Sequence, residues 1–178
     1  MTSMLNPNPI INSLLRATEE GNIAAIDEIC TVHSVNLNIC NELGETAMHV
    51  ASASGQLEIV KYLHSKGSDI DAVDKHGDST LYWAARVGHV DIVSYLIQQK
   101  VPVNFQNKCK ETPLHVAVRY CHSKTVSFLI GYGASVDIQD QYGETALHVA
   151  CWNGFSKMLP LLCVARPNLS LRNKQNAS

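Results

Sequence analysis

The chain repeats one eight-residue motif, whose clearest copy is Gly143-Glu-Thr-Ala-Leu-His-Val-Ala150. The motif begins at positions 44, 77, 110 and 143, and the interval between copies is the same each time (77 − 44 = 33). The other copies are Gly44-Glu-Thr-Ala-Met-His-Val-Ala51, Gly77-Asp-Ser-Thr-Leu-Tyr-Trp-Ala84 and Lys110-Glu-Thr-Pro-Leu-His-Val-Ala117. A strict period of this length is typical of repeat proteins, in which each unit stacks on its neighbours to bury a continuous core.

Each motif is predicted to begin a short helix. The N-cap residues are Thr46, Ser79, Thr112 and Thr145. Their hydroxyl oxygens can accept a hydrogen bond from a backbone N–H two or three residues on, and Pro113 stands at a first helical position that proline tolerates. Histidines that can bond back to the cap follow at His49, His115 and His148. Tyr82 replaces the histidine in the second copy and is too large to bridge on both sides, so that unit is expected to be locally distorted or to recognise something different.

A second helix is predicted in each unit from apolar residues at helical spacing. Examples are Val90, Val93 and Leu96. Gly67 and Gly133 follow these helices, where a chain commonly turns into the left-handed conformation. Lys100 and Arg166 occupy the same place in their units without glycine, so these two turns are expected to be strained or remodelled.

The regular units are preceded by a degenerate one. Residues 1–11 are predicted to be an N-terminal tail, and residues 12–43 a capping unit with a charged outer face. The interval from Gly21 to Gly55 exceeds the period by one (55 − 21 = 34), so one inserted residue is expected around Thr31 to Ser34. Regular units then occupy 44–76, 77–109, 110–142 and 143–175, and 176–178 begin a further unit. Because the last unit lacks a polar cap, we expect the natural polypeptide to continue beyond these residues.

The motif and its period resemble the ankyrin repeat from about Leu14 to Lys174. This resemblance implies an all-α repeat solenoid made of an N-terminal cap and four 33-residue units, each with a helix–turn–helix and a β-hairpin loop. It also implies a concave groove, lined by the hairpin tips and the exposed ends of the first helices, that binds a partner protein. Ankyrin repeats share no single function as a class, so the fold alone leaves the role open.

Two stretches also resemble the ankyrin segment of death-associated protein kinases. They are Asp78-Ser-Thr-Leu-Tyr-Trp-Ala-Ala-Arg-Val-Gly-His-Val-Asp91 and Ala146-Leu-His-Val-Ala-Cys-Trp-Asn-Gly-Phe-Ser156. The unit between them is similar, although Cys121 stands where a glycine is expected. This second resemblance implies a large cytoplasmic kinase that carries the array as a targeting or regulatory segment acting in cis, with its catalytic motifs outside these residues.

Composition argues against several other classes of protein. The net charge is −2, and only 17% of the residues are charged, so the chain lacks the basic surface that a nucleic-acid binder needs. No stretch approaches the ~20 apolar residues that span a bilayer. The N-terminus lacks a secretory signal, so the six cysteines are expected to be free thiols in the reducing cytoplasm. Three of them are expected on the core faces of helices: Cys30, Cys151 and Cys163.

No catalytic residue, cofactor site or metal site is predicted. The densest group of soft ligands is Cys109, His115, Cys121 and His122. These residues spread from a hairpin along a whole helix, too far apart for the tetrahedral ligand set of zinc. Phosphate-binding loops and the usual hydrolase motifs are absent from the sequence. We therefore expect this segment to be a non-catalytic, monomeric interaction module.

Residues one period apart form columns across the units, and the columns nearest the predicted groove are rich in Arg, Tyr and Trp. These residue types contribute most to the affinity of protein interfaces. The predicted binding residues are Lys75, His76, Arg86, Val87, Lys108, Arg119, Tyr120, Tyr142, Trp152 and Asn153. A partner peptide with acidic and apolar residues would suit them. The alternative is that the two arginines only pair in solvent with Asp78 and Glu111, which contributes little free energy.

Charge is distributed unevenly along the chain. Up to Glu45 there are one basic and six acidic residues, a net charge of 1 − 6 = −5. After Glu144 there are four basic residues and no acidic ones, a net charge of +4. This gradient is either a solvated feature without a role or a means of orienting a partner or a neighbouring domain.

Overall fold

The structure is a computed structural model that describes residues 9–175. These residues form ten α-helices in five antiparallel pairs. The helices are α1 Pro9–Glu19, α2 Ile23–His33, α3 Ala47–Ala53, α4 Leu57–Ser65, α5 Thr80–Val87, α6 Val90–Gln98, α7 Pro113–Arg119, α8 Ser123–Gly131, α9 Ala146–Trp152 and α10 Met158–Val164. Successive first helices pack on one another, as do the second helices from α4 to α10. The predicted all-α repeat solenoid is confirmed.

The core runs along the stack because the same positions are buried in unit after unit. On the second helices, fully buried leucines recur once per period, at Leu63, Leu96, Leu129 and Leu162. On the first helices, the fully buried alanines are Ala51, Ala84, Ala117 and Ala150. A methyl side chain at this point lets neighbouring first helices approach closely, while the leucines fill the space between second helices.

Buried histidines join the N-cap of one helix to the next unit. The Thr112 N–H donates to His115 Nδ1 at 3.2 Å, and the opposite ring nitrogen, Nε2, lies 3.1 Å from the backbone oxygen of Glu144. His49 makes the same pair of contacts, and its Nε2 lies 3.2 Å from the backbone oxygen of Asp78. Because Nδ1 accepts, Nε2 carries the proton and donates to the carbonyl oxygen. The predicted structural role of these two histidines is confirmed.

Hairpin turns connect consecutive units and are also joined across them. One backbone N–H of each tip donates to the preceding tip, at 2.9–3.0 Å; the bonds are Lys75 to Leu43, Lys108 to His76, Gln141 to Cys109 and Lys174 to Tyr142. Inside each turn, an Asp or Asn side chain accepts from the backbone; Asp74 Oδ1, for example, accepts from the N–H groups of His76 and Asp78. Strand pairing within residues 9–175 is limited to two isolated antiparallel bridges, Cys40 with Thr46 and Val73 with Ser79.

The N-terminal boundaries differ from two of the sequence predictions. Helix α1 begins at Pro9 and Ile11 is buried, so residues 9–11 belong to the capping unit and not to a tail. The Val35 N–H bonds to the Cys30 oxygen just as Ser68 bonds to Leu63 one period later. The regular period therefore already holds at Cys30, and the extra residue lengthens α2 before that point; its expected place after residue 30 was wrong. Residues 1–8 and the predicted start of a further unit at 176–178 lie outside the described residues.

The two turns without glycine are left-handed, which is the strained one of the two expected alternatives. Lys100 has φ = 71° and Arg166 has φ = 53°, and Gly67 and Gly133 have φ = 84° and 88° at the equivalent places. A side chain with a β-carbon is disfavoured in this region by roughly 1–2 kcal/mol, because the β-carbon approaches the following carbonyl oxygen.

Replacing Lys100 with glycine should stabilise the protein. Lys100→Gly removes the unfavourable β-carbon contact, and we expect the free energy of unfolding to rise by about 1 kcal/mol in urea titrations. The matched control is Gln99→Gly, one residue earlier at φ = −80°, where glycine only adds freedom to the unfolded chain and should lower stability by about 0.5–1 kcal/mol. A loss of stability in both variants would show that the turn is not strained.

Acid should weaken the array through its buried histidines. Burial lowers the pKa of His49 and His115 below the ordinary value of 6.5. The unfolded chain then binds more protons than the folded one below about pH 6.5, so stability falls as the pH drops through that point, by at most about 1.4 kcal/mol per pH unit for each histidine.

The measurement is urea unfolding at pH 8, 6.5 and 5. A His49→Gln, His115→Gln double variant should be less stable at pH 8 but should lose less stability between pH 6.5 and pH 5. Equal slopes for the two proteins would contradict a role of these histidines in the acid response.

Candidate protein-binding surface

The predicted binding residues lie at two kinds of position in the units, and we call them together the hairpin-side surface. The hairpin tips supply Lys75, His76, Lys108 and Tyr142, and the C-terminal ends of the first helices supply Arg86, Val87, Arg119, Tyr120, Trp152 and Asn153. Arg119 is half-buried, and most of the others are exposed. The row of helix ends therefore presents large side chains to solvent, although their immediate partners differ from unit to unit.

A buried cluster joins the helix ends to the hairpins. The Tyr82 hydroxyl donates to Glu111 Oε2 at 2.9 Å, and Arg119 forms a salt bridge with Oε1 of the same carboxylate. Tyr82 is only 7% exposed and crosses to the next unit as the histidines do, but it reaches a side chain where they reach a backbone oxygen. Helix α5 is regularly capped, with Ser79 Oγ accepting from the Tyr82 N–H at 3.2 Å. The local distortion expected at Tyr82 is therefore not seen at the N-terminus of α5.

The protonation states in this cluster are held constant near neutral pH. Burial by itself would raise the pKa of Glu111, but the hydrogen bond and charge of Arg119 and the hydrogen bond from Tyr82 hold it below its usual value. Burial raises the pKa of Tyr82, and the charge of Glu111 adds to the effect. Burial opposes the charged form of Arg119, yet its pKa is raised by Glu111. The cluster is thus a fixed ion pair with a hydroxyl donor, without a group that titrates near pH 7.

The two arginines differ in their partners. Arg119 forms a salt bridge with Glu111, which is the pairing expected under the alternative that the arginines only meet nearby carboxylates. Among residues 9–175, Arg86 and Asp78 form no salt bridge, and Asp78 Oδ1 accepts from Asn107 Nδ2 at 2.6 Å. The Arg86 guanidinium lies 5.8 Å from the centroid of the Tyr120 ring, a cation–π distance. Arg86 therefore presents its charge to solvent beside an aromatic ring.

Two further contacts hold this arginine and this ring in place. The His122 ring stacks on Tyr120 with a centroid distance of 6.4 Å, and His122 Nε2 lies 2.9 Å from the backbone oxygen of Arg86. At the hairpin tips, the Lys108 ammonium donates to the backbone oxygen of Lys75 at 2.7 Å. Exposed cations thus lie in the units at 44–76 and 77–109. The nearby carboxylates of Asp78 and Glu111 already have partners in Asn107 and Arg119.

The last unit departs from this arrangement. Trp152 is 76% exposed and lines a groove of about 500 Å³ at the end of the array. The Asn153 side chain folds back on its own helix, where Nδ2 donates to the Val149 oxygen at 2.8 Å. Tyr142 projects from its hairpin tip. Trp152 therefore belongs to the open end of the stack, a placement that column spacing alone did not reveal.

The cysteine predictions were partly wrong. All six cysteines lie within residues 9–175 and are free thiols, as expected. Cys30 is half-buried and packs against the hydrophobic core, as predicted, whereas Cys151 and Cys163 are exposed. Cys151 holds the position that Val118 and Ala85 bury in earlier units, but in the described chain no helix packs beyond α9. A core position becomes exposed when the stack ends.

Sequence reasoning missed the Asp/Asn column of the hairpins, which recurs once in every unit and was readable from the repeat. Its members are Asn41, Asp74, Asn107, Asp140 and Asn173. In the unit at 44–76, Asp74 also accepts from the Trp83 indole N–H at 3.1 Å. These side chains shape the tips that carry Lys75, Lys108 and Tyr142, so they position the surface without belonging to it.

Neither a metal cluster nor a membrane span is present within residues 9–175. No three His, Cys, Asp or Glu side chains in this part of the chain lie close enough together to hold a metal ion. Its helices have eleven residues at most, and none is long and apolar enough to cross a membrane.

Comparison with protein families identifies the class. The family model described as "Ankyrin repeats (3 copies)" matches residues 14–107 and 96–173, which together cover most of the chain. The chain therefore belongs to the ankyrin repeat family. Ankyrin repeats generally mediate protein–protein interactions, and the repeat domain is typically non-catalytic.

Removing the Tyr82 hydroxyl should destabilise the array by breaking the bond to Glu111. We expect Tyr82→Phe to lower the free energy of unfolding by about 1.5 kcal/mol, since the lost bond is to a charged, half-buried group. The control is Tyr132→Phe at an exposed ring, which should change stability by less than about 0.5 kcal/mol. In the Tyr82→Phe background, Glu111→Gln should cost less than in the wild type. Additive effects of the two substitutions would rule out the coupling.

Proposed function

We propose that this protein is a non-catalytic interaction module that binds a partner protein through the hairpin-side surface. The observation that carries the proposal is the Arg86 guanidinium held beside the exposed Tyr120 ring. Arginine and tyrosine anchor many protein interfaces because both bury a large area and keep a polar group available. A pre-positioned pair loses less side-chain entropy on binding than two free side chains would.

The charges around this pair favour a partner segment that is acidic and partly apolar. Lys75 and Lys108 are exposed at neighbouring hairpin tips, and the carboxylates of Asp78 and Glu111 are engaged by Asn107, Arg119 and Tyr82. Because these two carboxylates already have partners, the neighbouring cations can attract a carboxylate of a bound segment. Val87 and Tyr142 add apolar area on either side. Arg119 acts here by holding Glu111 and not as a free cation.

Selection of peptides on the 178-residue chain tests this proposal. A random peptide library displayed on phage should yield binders enriched in Asp or Glu together with apolar residues. Their affinity should fall at least tenfold, about 1.4 kcal/mol, in Arg86→Ala and in Tyr120→Ala. The matched control is Lys124→Ala, which removes an exposed cation from the second-helix side and should leave affinity unchanged.

The proposal fails if the selected peptides are not acidic, or if their affinity is the same in the wild type, Arg86→Ala and Tyr120→Ala. Raising the salt concentration gives a second reading, because binding that depends on Arg86, Lys75 and Lys108 should weaken as ions screen their charges.

The second candidate is a regulatory or targeting segment of a death-associated-kinase-like enzyme, acting in cis on the kinase domain. It is supported by the similarity of the stretches around Tyr82 and Trp152, and it shares the cytoplasmic location that we propose from the free thiols. The reading frame around this segment distinguishes the two, because only this candidate requires kinase motifs in the same polypeptide. We propose that the isolated array is monomeric in either case.

A further inference from the structure

Trp83 lies between the two kinds of position that make up the hairpin-side surface. Its indole N–H donates to Asp74 Oδ2 at 3.1 Å, and Asp74 immediately precedes Lys75 at the hairpin tip. On helix α5, Arg86 and Val87 follow Trp83 at three and four residues, and residues with these spacings share one face of a helix. The Trp83 ring therefore lies between the hairpin and the C-terminal end of α5.

Two contacts fix the position of this ring. Asp74 is only 6% exposed and also accepts from the backbone of its own turn, so the carboxylate that holds the indole N–H is itself held in place. The ring of His49, in the preceding unit, meets the Trp83 ring edge to face at a centroid distance of 5.8 Å. A ring held in this way loses little side-chain entropy when a partner binds to it.

The position of Trp83 is occupied by valine in the other units: Val50, Val116 and Val149. Val116 and Val149 are buried, whereas Trp83 is half-buried although described units lie on both sides of it. A valine is thus enough to cover the core here, and the larger indole leaves part of its area to solvent. Tryptophan is enriched among the residues that dominate interface affinity, because it buries a large apolar area at low entropic cost.

Spacing on α5 defines the spacing expected in a partner. Side chains three residues apart on a helix have β-carbons about 5–6 Å apart, as Trp83 and Arg86 do. A short linear segment is rarely helical by itself, and in an extended segment the side chains two positions apart point to the same side, about 6.5–7 Å from each other. A segment that places an apolar residue on Trp83 therefore brings the residue two positions away beside Arg86, where a carboxylate is favoured.

We propose that Trp83 is the apolar anchor of the hairpin-side surface, and that its partner is a short extended segment with an apolar and an acidic residue two positions apart. The apolar residue contacts the indole, and the acidic residue meets the Arg86 guanidinium. This inference rests on the proposed function and specifies the partner of the same site.

Peptide selection with one fixed glutamate tests the spacing. Phage-displayed random peptides that each carry a fixed Glu are selected on the 178-residue chain, and the selected pool is sequenced. We expect aliphatic or aromatic residues to be enriched two positions before or two positions after the Glu. Enrichment at another spacing, or at none, would overturn the proposal.

The affinity of the best selected peptide then tests the anchor. It should fall at least tenfold in Trp83→Val, which introduces the residue that the other units carry and is therefore expected to fold. The matched control is Tyr132→Val, which removes an exposed aromatic ring at the end of α8 and should leave the affinity unchanged. Replacing the apolar residue of the peptide with Ser should weaken binding to the wild type at least tenfold, but less than threefold in Trp83→Val. Equal losses in the two proteins would show that the indole and this residue do not meet.

Tryptophan fluorescence reports the contact directly. The chain has two tryptophans, so Trp152→Phe leaves Trp83 as the only one. A selected peptide without tryptophan should move the emission of this variant to shorter wavelength, because its apolar residue displaces water from the indole. Unchanged emission at saturation would contradict the proposal.

Arg86→Ala separates failure of this inference from failure of the proposed function. If the affinity falls in Arg86→Ala but not in Trp83→Val, the surface binds acidic segments without this anchor, and the inference alone fails. If neither substitution changes the affinity, or if no peptide is selected, the inference and the proposed function fail together.

Discussion

The contact on which the array depends is the buried link from an N-cap threonine, through a histidine ring, to a carbonyl oxygen of the next unit. At His49 and His115 one ring completes the cap of its own helix with Nδ1 and holds the neighbouring hairpin with Nε2. An isolated helix of seven residues is unstable in water, so these helices exist only because each is capped and stacked. The same bond therefore stabilises local structure and sets the register between units.

Tyr82 shows what happens when this link is replaced. A phenol cannot accept from the cap and donate across the interface as an imidazole does, and its hydroxyl extends further. It meets the side chain of Glu111, which in turn holds Arg119. The substitution thus converts a backbone contact into an ionic cluster. Arg119 therefore has a structural role within the array. Among the two arginines of the hairpin-side surface, Arg86 is the one that forms no salt bridge with a carboxylate of the described residues.

Stacking in one dimension also explains why the side and the end of the array differ in character. Along the side of the array, exposed residues are those that no neighbouring unit can cover, so charged and aromatic side chains project there from a rigid support. At the end of the array, exposed residues are those that a further helix would cover. Cys151 and Leu169 are exposed, although Val118 and Val136 at the same positions one period earlier are buried.

The repeat period by itself determined the class of fold, the N-caps, the histidine contacts of His49 and His115, and the left-handed turns at Lys100 and Arg166. These features depend on residues a few positions apart, and repetition makes each of them visible several times. Only the tertiary structure decided that Arg119 meets a carboxylate and Arg86 does not, that Trp152 lines the groove beside α9, that Cys151 is exposed, and that the extra residue lies inside α2. The reason is that such outcomes depend on distances between side chains of different units, or on a neighbour that is missing. A column of equivalent positions predicts which residues share a face, but not which partner each of them reaches.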